Sequence, residues 1–225
     1  MHAIGEACQN GELQGKVSLV AVISSREGVS GIRKAQKLGI PVEMVLRKDF
    51  PKGYNGVDAY GEALKSVLAK YSPDVVTLNG FLAKVSEEVI CEHEGNIFNQ
   101  HPGPVPDFGG EGMYGRRVHA AVIIFSRLTE RIIPYTEMIA QRVSPAYDHG
   151  AVVKCAKVEI LPQDTVDSLQ ERSLPIEHQL QIQLLHNVAD GVVKEVVSRV
   201  PYVCSMDYAI LNQAKRIAKL LYPNG

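Results

Sequence analysis

Short apolar segments alternate with helical segments along the first hundred residues, and this alternation limits the fold more than any other feature. Residues 17–24 (VSLVAVIS) are nearly all apolar and rich in β-branched side chains, as is typical of a strand buried on both faces. Residues 41–46, 74–80 and 96–99 have a similar character. The pattern predicts an α/β domain with a mainly parallel, Rossmann-like sheet flanked by helices.

The helical segments carry apolar residues at helical spacing. Gly39 is placed to end the first helix after residue 17, and Ser86 to cap a short helix. A long helical region is predicted over residues 165–197 with an interruption at Leu174 and Pro175, because proline lacks the backbone donor. A last helix is predicted over residues 208–221. The opening residues look helical, so a strand before them is predicted to be missing.

Residues 135–144 and 151–160 read as two more strands joined by the turn PAYDHG, and we expect them to form an antiparallel pair. We predict that residues 1–200 form the α/β domain and residues 201–225 a C-terminal helical extension.

Composition excludes several classes of protein. Hydrophobic residues make up 45% and charged residues 22%, and the formal net charge of −1 gives no indication of a nucleic-acid partner. The four cysteines lie far apart, and the histidines lack metal-ligand spacing, so neither a disulfide framework nor a metal site is predicted. No apolar run is long enough to span a membrane, and no secretory leader is recognised. We expect a cytoplasmic protein.

Residues 99–115 (NQHPGPVPDFGGEGMYG) follow a predicted strand, at the sheet edge where α/β proteins bind ligands. Asn99 can donate to a developing oxyanion, and His101 can act as acid, base or donor near neutral pH. Most loop histidines only bind backbone groups, so the residues alone leave a structural role open.

Gly110, Gly112 and Gly115 of this loop match the G-x-G-x-x-G pattern of dinucleotide-binding proteins. That pattern needs a strand directly before its first glycine, and here a proline-rich loop precedes it. We therefore interpret the glycines as a flexible wall around a substrate.

Asp148 lies in the turn between the two late strands. A carboxylate beside an imidazole raises the pKa of the ring and orients it. An Asp-x-Gly sequence is also ordinary turn chemistry, so this residue too has a structural alternative.

Together these residues resemble the folate-dependent formyltransferases, above all those that act on glycinamide ribotide. The resemblance rests on Asn99-Gln100-His101-Pro102, the loop to Gly115, and Asp148-His149-Gly150 before a strand. SPDVVTLNGFLAKVS and LPIEHQLQ resemble the family's folate-contacting and ribotide-contacting segments. The similarity covers about residues 3–190.

The resemblance implies direct transfer of a formyl group from 10-formyltetrahydrofolate, a co-substrate, to the amine of glycinamide ribotide, with no metal. It implies catalytic roles for three residues, with Asn99 and His101 at the oxyanion and Asp148 positioning His101. It implies substrate contacts for Pro102, Gly103 and Glu177, and folate contacts for Phe81, Leu82, Val85 and Tyr147. A homodimer is possible, and neither a nucleic acid nor a membrane is an expected partner.

The sequence also departs from the family pattern. The missing leading strand would carry the turn that holds the ribotide phosphate. Gly103 stands where serine is common, Ala83 where arginine is frequent, and Gln141 where a second histidine is found. Three alternatives remain open on the sequence: a formyltransferase for another amine, a 10-formyltetrahydrofolate hydrolase, and a non-catalytic binding protein on this scaffold.

Overall fold

The computed structural model describes residues 1–50, 58–129, 133–197 and 201–225. Within them lie seven α-helices and six strands, which alternate from α1 to β5, with short 3-10 helices at Arg47–Asp49 and Ser205–Asp207. The helices are α1 (His2–Asn10), α2 (Ser30–Lys37), α3 (Ala59–Tyr71), α4 (Glu87–Glu92), α5 (Arg116–Leu128), α6 (Val166–Ala189) and α7 (Tyr208–Leu221). The strands are β1 (Val22–Ser24), β2 (Val42–Met44), β3 (Val76–Leu78), β4 (Ile97–His101), β5 (Tyr135–Arg142) and β6 (Val152–Glu159).

The strands form two sheets. β1 and β2 make a parallel pair, and a second sheet has the order β3-β4-β5-β6. β3 and β4 are parallel, whereas β5 is antiparallel to both of its neighbours. The predicted α/β class and the predicted antiparallel pair are both confirmed, in a mixed sheet with helices packed against it.

A cavity of about 960 Å³ separates β1 from β3 and is lined by apolar residues of both strands. β1 covers three residues, fewer than the predicted 17–24. Its hydrogen-bonded partner β2 is equally short, and the cavity lies along its other side. An apolar segment needs a partner strand to form a ladder, so the residues before Val22 remain outside it.

Helix α6 corrects the prediction of an interruption at Pro175. It runs unbroken from Val166 to Ala189 with Pro175 inside it, and it ends before the predicted residue 197. Glu171, whose carbonyl loses the Pro175 donor, is exposed, so water can satisfy that carbonyl. Gly191, with φ 66°, then turns the chain out of the helix.

Helix α5 lies at the centre of the largest hydrophobic cluster, with Val118, Val122 and Phe125 fully buried. Helix α7 packs into the same cluster through Leu211 and Ala214. Both helices have the predicted bounds. The predicted boundary at residue 200 lies outside the described residues, and the division into two units stays a prediction. Among the described helices, none is long and apolar enough to cross a membrane.

Candidate active site

Strand β4 places Asn99 and His101 on one face of the sheet, because side chains two positions apart point the same way. Asn99 lies opposite Leu78 of β3 on one side and Gln141 of β5 on the other. Asp148 follows β5 in a turn, with a left-handed φ of 57°. That turn folds back over the end of β4, so the three residues of the sequence prediction meet.

Four groups surround the carboxylate of Asp148. Gln141 Nε2 donates to Oδ1 at 2.8 Å and Asn99 Nδ2 donates to it at 3.3 Å. The backbone N–H of Gly110 donates to Oδ2 at 2.9 Å, and His101 Nδ1 lies 3.5 Å from Oδ1. Donors on both oxygens fix the orientation of the carboxylate relative to the imidazole.

His101 is held at both ring nitrogens. Its Nε2 lies 3.1 Å from the carbonyl oxygen of Phe108, while its Nδ1 faces Asp148. Burial lowers the pKa of His101, whose exposed fraction is 3%, and Asp148 and the Phe108 carbonyl oppose that shift. An acceptor therefore stands beside each ring nitrogen, an arrangement that stabilises the protonated form of the ring.

Two further polar groups are buried near this pair. Burial, followed by the nearness of His101, lowers the pKa of His119 on α5 to about 4. His119 Nδ1 and Gln141 Oε1 are both buried without a hydrogen-bond partner. His119 is therefore neutral at physiological pH, and it adds no positive charge beside His101.

The glycines of the loop bring its backbone close to Asp148. β4 ends at His101, and no strand is described between that residue and Gly110. Gly110 has a φ of 100° and turns its N–H toward Asp148. A Cβ on Gly109 would collide with the Asp148 side chain, so the glycines allow a close approach of loop and carboxylate.

Two of the predicted ribotide contacts follow β4 directly, and the third lies on α6. Pro102 is half-buried, and a Cβ on Gly103 would collide with Val118 of α5. Gln100 Nε2 donates to the Glu177 carbonyl at 2.9 Å, which ties α6 to β4. Burial raises the pKa of the Glu177 carboxyl.

The predicted folate contacts follow β3, except Tyr147, which precedes Asp148. Phe81 and Leu82 are half-buried, and Phe81 packs against a core cluster that contains Val85. Tyr147 is 40% exposed. Phe81 and Val85 also line the 960 Å³ cavity, whereas Asn99, His101 and Asp148 do not. The described residues contain no group of three His, Cys, Asp or Glu side chains suited to a metal ion.

Comparison with known proteins assigns the chain to a family. Residues 1–185 match the family model described as Formyl transferase. The chain belongs to the formyl transferase family. The formyl transferase resemblance proposed from the sequence motifs is thereby confirmed.

Three similar members of the formyl transferase family are named phosphoribosylglycinamide formyltransferase. The chloroplastic protein of Vigna unguiculata is 32% identical over 91% of this chain and 62% of its own length. The Schizosaccharomyces pombe protein is 28% identical over 84% of this chain and 90% of its own. The crystal structure from Brucella melitensis is 27% identical, covers 87% of this chain and 92% of its own, and has a TM-score of 0.68. This chain thus spans less than two thirds of the plant relative.

Sequence reasoning missed several hydrogen-bond partners in this candidate site. Gln141 was noted only as a replacement of histidine, although its position opposite Asn99 in the β4–β5 pair brings its amide to Asp148. The Phe108 carbonyl and the Gly110 N–H are backbone groups, which a side-chain motif does not reveal. The sequence predicted both strands but not their pairing with each other, and that pairing is what brings Gln141 to the site.

Proposed function

We propose that this chain transfers the formyl group of 10-formyltetrahydrofolate to the amine of glycinamide ribotide. The observation that carries the proposal is the meeting of Asn99, His101 and Asp148 at the carboxyl end of β4. The names of the similar proteins from Vigna unguiculata, Schizosaccharomyces pombe and Brucella melitensis support this acceptor.

The donor set fits formyl chemistry. The amide nitrogen of Asn99 carries two hydrogens, and its contact with Asp148 uses one of them. The second N–H can donate to an oxygen on which negative charge develops. One such donor lowers the barrier of an acyl-transfer reaction by about 3 kcal/mol.

When bound, 10-formyltetrahydrofolate supplies an electrophilic formyl carbon to the substrate amine. His101 and Asp148 accept and return the protons that move during formyl transfer. They take up the proton that the amine loses as its bond to carbon forms, and they return one to the nitrogen that departs. Burial keeps the pKa of His101 low, so the ring starts neutral, and the facing carboxylate stabilises it once it is protonated.

The flanking residues are proposed to hold the two substrates. Phe81, Leu82 and Tyr147 are proposed as folate contacts. The register of β3 against β4 supports this assignment, since it brings the segment after Leu78 beside Asn99. The Val85 side chain lies in the core, where it would anchor that segment. The ribotide contacts are proposed at Pro102, Gly103 and Glu177.

Steady-state kinetics of Asp148→Asn test the catalytic assignment. Asparagine keeps the size of the side chain but removes the charge that faces His101. We expect kcat to fall by roughly 10²- to 10⁴-fold, as for loss of an acid–base group. His149→Ala is the matched control, because His149 is the exposed neighbour in the same turn. A kcat within about twofold of wild type in Asp148→Asn would refute the assignment.

Calorimetric titration tests the acceptor. We expect binding of both glycinamide ribotide and a folate analogue to the wild-type protein. Folate binding without ribotide binding would overturn the acceptor and leave the family assignment in place. Release of formate without an acceptor would instead indicate a hydrolase.

A further inference from the structure

Helix α7 lies against the loop that supplies the backbone partners of His101 and Asp148. The loop buries Phe108 and Met113 in the same cluster as Leu211, Ala214 and Ala218 of the helix. The loop and helix therefore form one packed unit, although about a hundred residues separate them along the chain.

Two lysines of α7 donate to carbonyl oxygens of this loop. Lys215 Nζ donates to the Asp107 carbonyl at 2.8 Å, and Lys219 Nζ donates to the Glu111 carbonyl at 2.8 Å. Four positions apart, the two lysines share one face of the helix. The hydroxyl of Tyr208 adds a third contact, donating to Asp107 Oδ1 at 3.1 Å.

Each lysine binds a residue that is next in sequence to one whose backbone contacts His101 or Asp148. Asp107 precedes Phe108, whose carbonyl lies 3.1 Å from His101 Nε2. Glu111 follows Gly110, whose N–H donates to Asp148 Oδ2 at 2.9 Å. The two peptide planes that α7 holds, 107–108 and 111–112, thus flank the planes 108–109 and 109–110 that contact His101 and Asp148.

We propose that Lys215 and Lys219 are positioning residues that set the distance between His101 and Asp148 through the backbone of residues 107–111. This inference rests on the proposed function and assigns a role to the C-terminal helix within it. The loop glycines support it, since a Cβ added at Gly110 would meet no atom within 4 Å and Gly112 leaves room for the Lys219 stem 3.4 Å from its Cβ position. Phe108 packs in the core, but Gly109 and Gly110 carry no side chain, so the backbone at these two glycines depends on its hydrogen bonds for a single conformation.

The surroundings of Lys215 also favour one fixed position for its ammonium group. It is half-buried, and burial followed by the nearness of Lys219 lowers the pKa of its ammonium, while Asp107 and Asp148 oppose the shift. A half-buried ammonium loses much of its contact with water, so its bond to the Asp107 carbonyl replaces a solvent contact.

The test uses Lys215→Met and Lys219→Met, singly and together, in the full chain. Methionine keeps an unbranched stem of similar length and removes the donor. Arg216→Met is the matched control, because Arg216 is exposed on the same turn of α7. Amide hydrogen exchange of the substrate-free protein is measured at residues 107–111, together with kcat and KM.

We expect the double variant to exchange the Gly110 amide at least roughly tenfold faster, with β5 amides unchanged. We expect kcat to fall by about tenfold or more while KM stays within about twofold, because the pair and not substrate binding is displaced. The single variant Lys215→Arg should keep both the Gly110 exchange rate and kcat near their wild-type values, since arginine also donates.

Three results would overturn the inference. They are unchanged Gly110 exchange in the double variant, a kcat within about twofold of wild type, and faster exchange spread equally over β5, which would indicate general loss of stability. Amide exchange needs no substrate, so it tests the positioning role of the two lysines independently of activity. Absence of transfer by the wild-type protein would refute the proposed function and leave the exchange result standing.

Discussion

Substitution of Gly109 by alanine changes the distance between the loop and Asp148 without removing a catalytic group. Gly109 has no positive φ, so alanine is allowed by the backbone and the effect is steric. The added Cβ would lie 2.9 Å from Asp148 Oδ2 and 3.0 Å from its Cγ, and closer still to its Cβ, whereas ordinary contacts begin at 3.4 Å.

Relief of these contacts requires the loop and Asp148 to separate by roughly 1 Å, a displacement that can cost about a hundredfold in rate at an active site. The same movement lengthens the 2.9 Å bond from the Gly110 N–H to Oδ2. Overpacking of a tight contact lowers the free energy of unfolding by about 1–3 kcal/mol. We therefore expect kcat to fall about a hundredfold and the midpoint of unfolding to be lower, in a transition that is still cooperative.

The assay pairs initial rates with urea unfolding. Gly31→Ala is the control, because a Cβ there meets no atom within 4 Å and Gly31 lies inside α2. Alanine in a helix should raise the free energy of unfolding by up to about 1 kcal/mol and leave the rate unchanged. A Gly109→Ala protein with wild-type kcat would refute the claim that the loop sets the position of Asp148.

Two further predictions concern buried titratable groups. Burial lowers the pKa of His119 to about 4, so between about pH 4 and the ~6.5 of an unfolded histidine the unfolded chain binds more protons. The free energy of unfolding of wild type should fall from pH 7 to pH 5 by more than that of His119→Gln, and equal falls in urea titrations would contradict this. Burial opposes ionisation of Asp164, but bonds from Arg172, the Leu161 amide and Ser168 hold its pKa below the usual range. The stabilisation from the Asp164 carboxylate is present above about pH 4 and is lost as the pH falls through the lower pKa of the folded state. Chemical denaturation should therefore show that Asp164→Asn lowers the free energy of unfolding by roughly 3 kcal/mol at pH 7 and by less at pH 3. An equal loss at both pH values would exclude the ion pair as the cause.

The elements that the sequence predicted best are those whose signal is local. Helices α5 and α7 have the expected bounds because their apolar residues recur at helical spacing within one segment. β1 is shorter than its apolar segment because strand length depends on partner strands elsewhere in the chain. α6 continues through Pro175 because packing on its other face, at Leu180 and Leu184, outweighs one missing backbone bond.

The candidate site divides in the same way. Asn99, His101 and Asp148 were predicted because family motifs mark them, and the structure brings them into contact. The hydrogen bond from Lys215 to the loop could not be predicted, since an amphipathic helix does not indicate which surface it will cover. The same is true of backbone groups such as the Gly110 N–H, whose direction depends on a φ of 100°.

The fate of a labelled formyl group tests the central claim most directly. The protein is incubated with glycinamide ribotide and 10-formyltetrahydrofolate that carries carbon-13 in its formyl group, and NMR follows the label. We predict that the label appears in a formylated ribotide with the wild-type protein and with His149→Ala, and that its appearance is suppressed in Asp148→Asn. Label released as formate, or retained on the folate by the wild-type protein, would contradict the account.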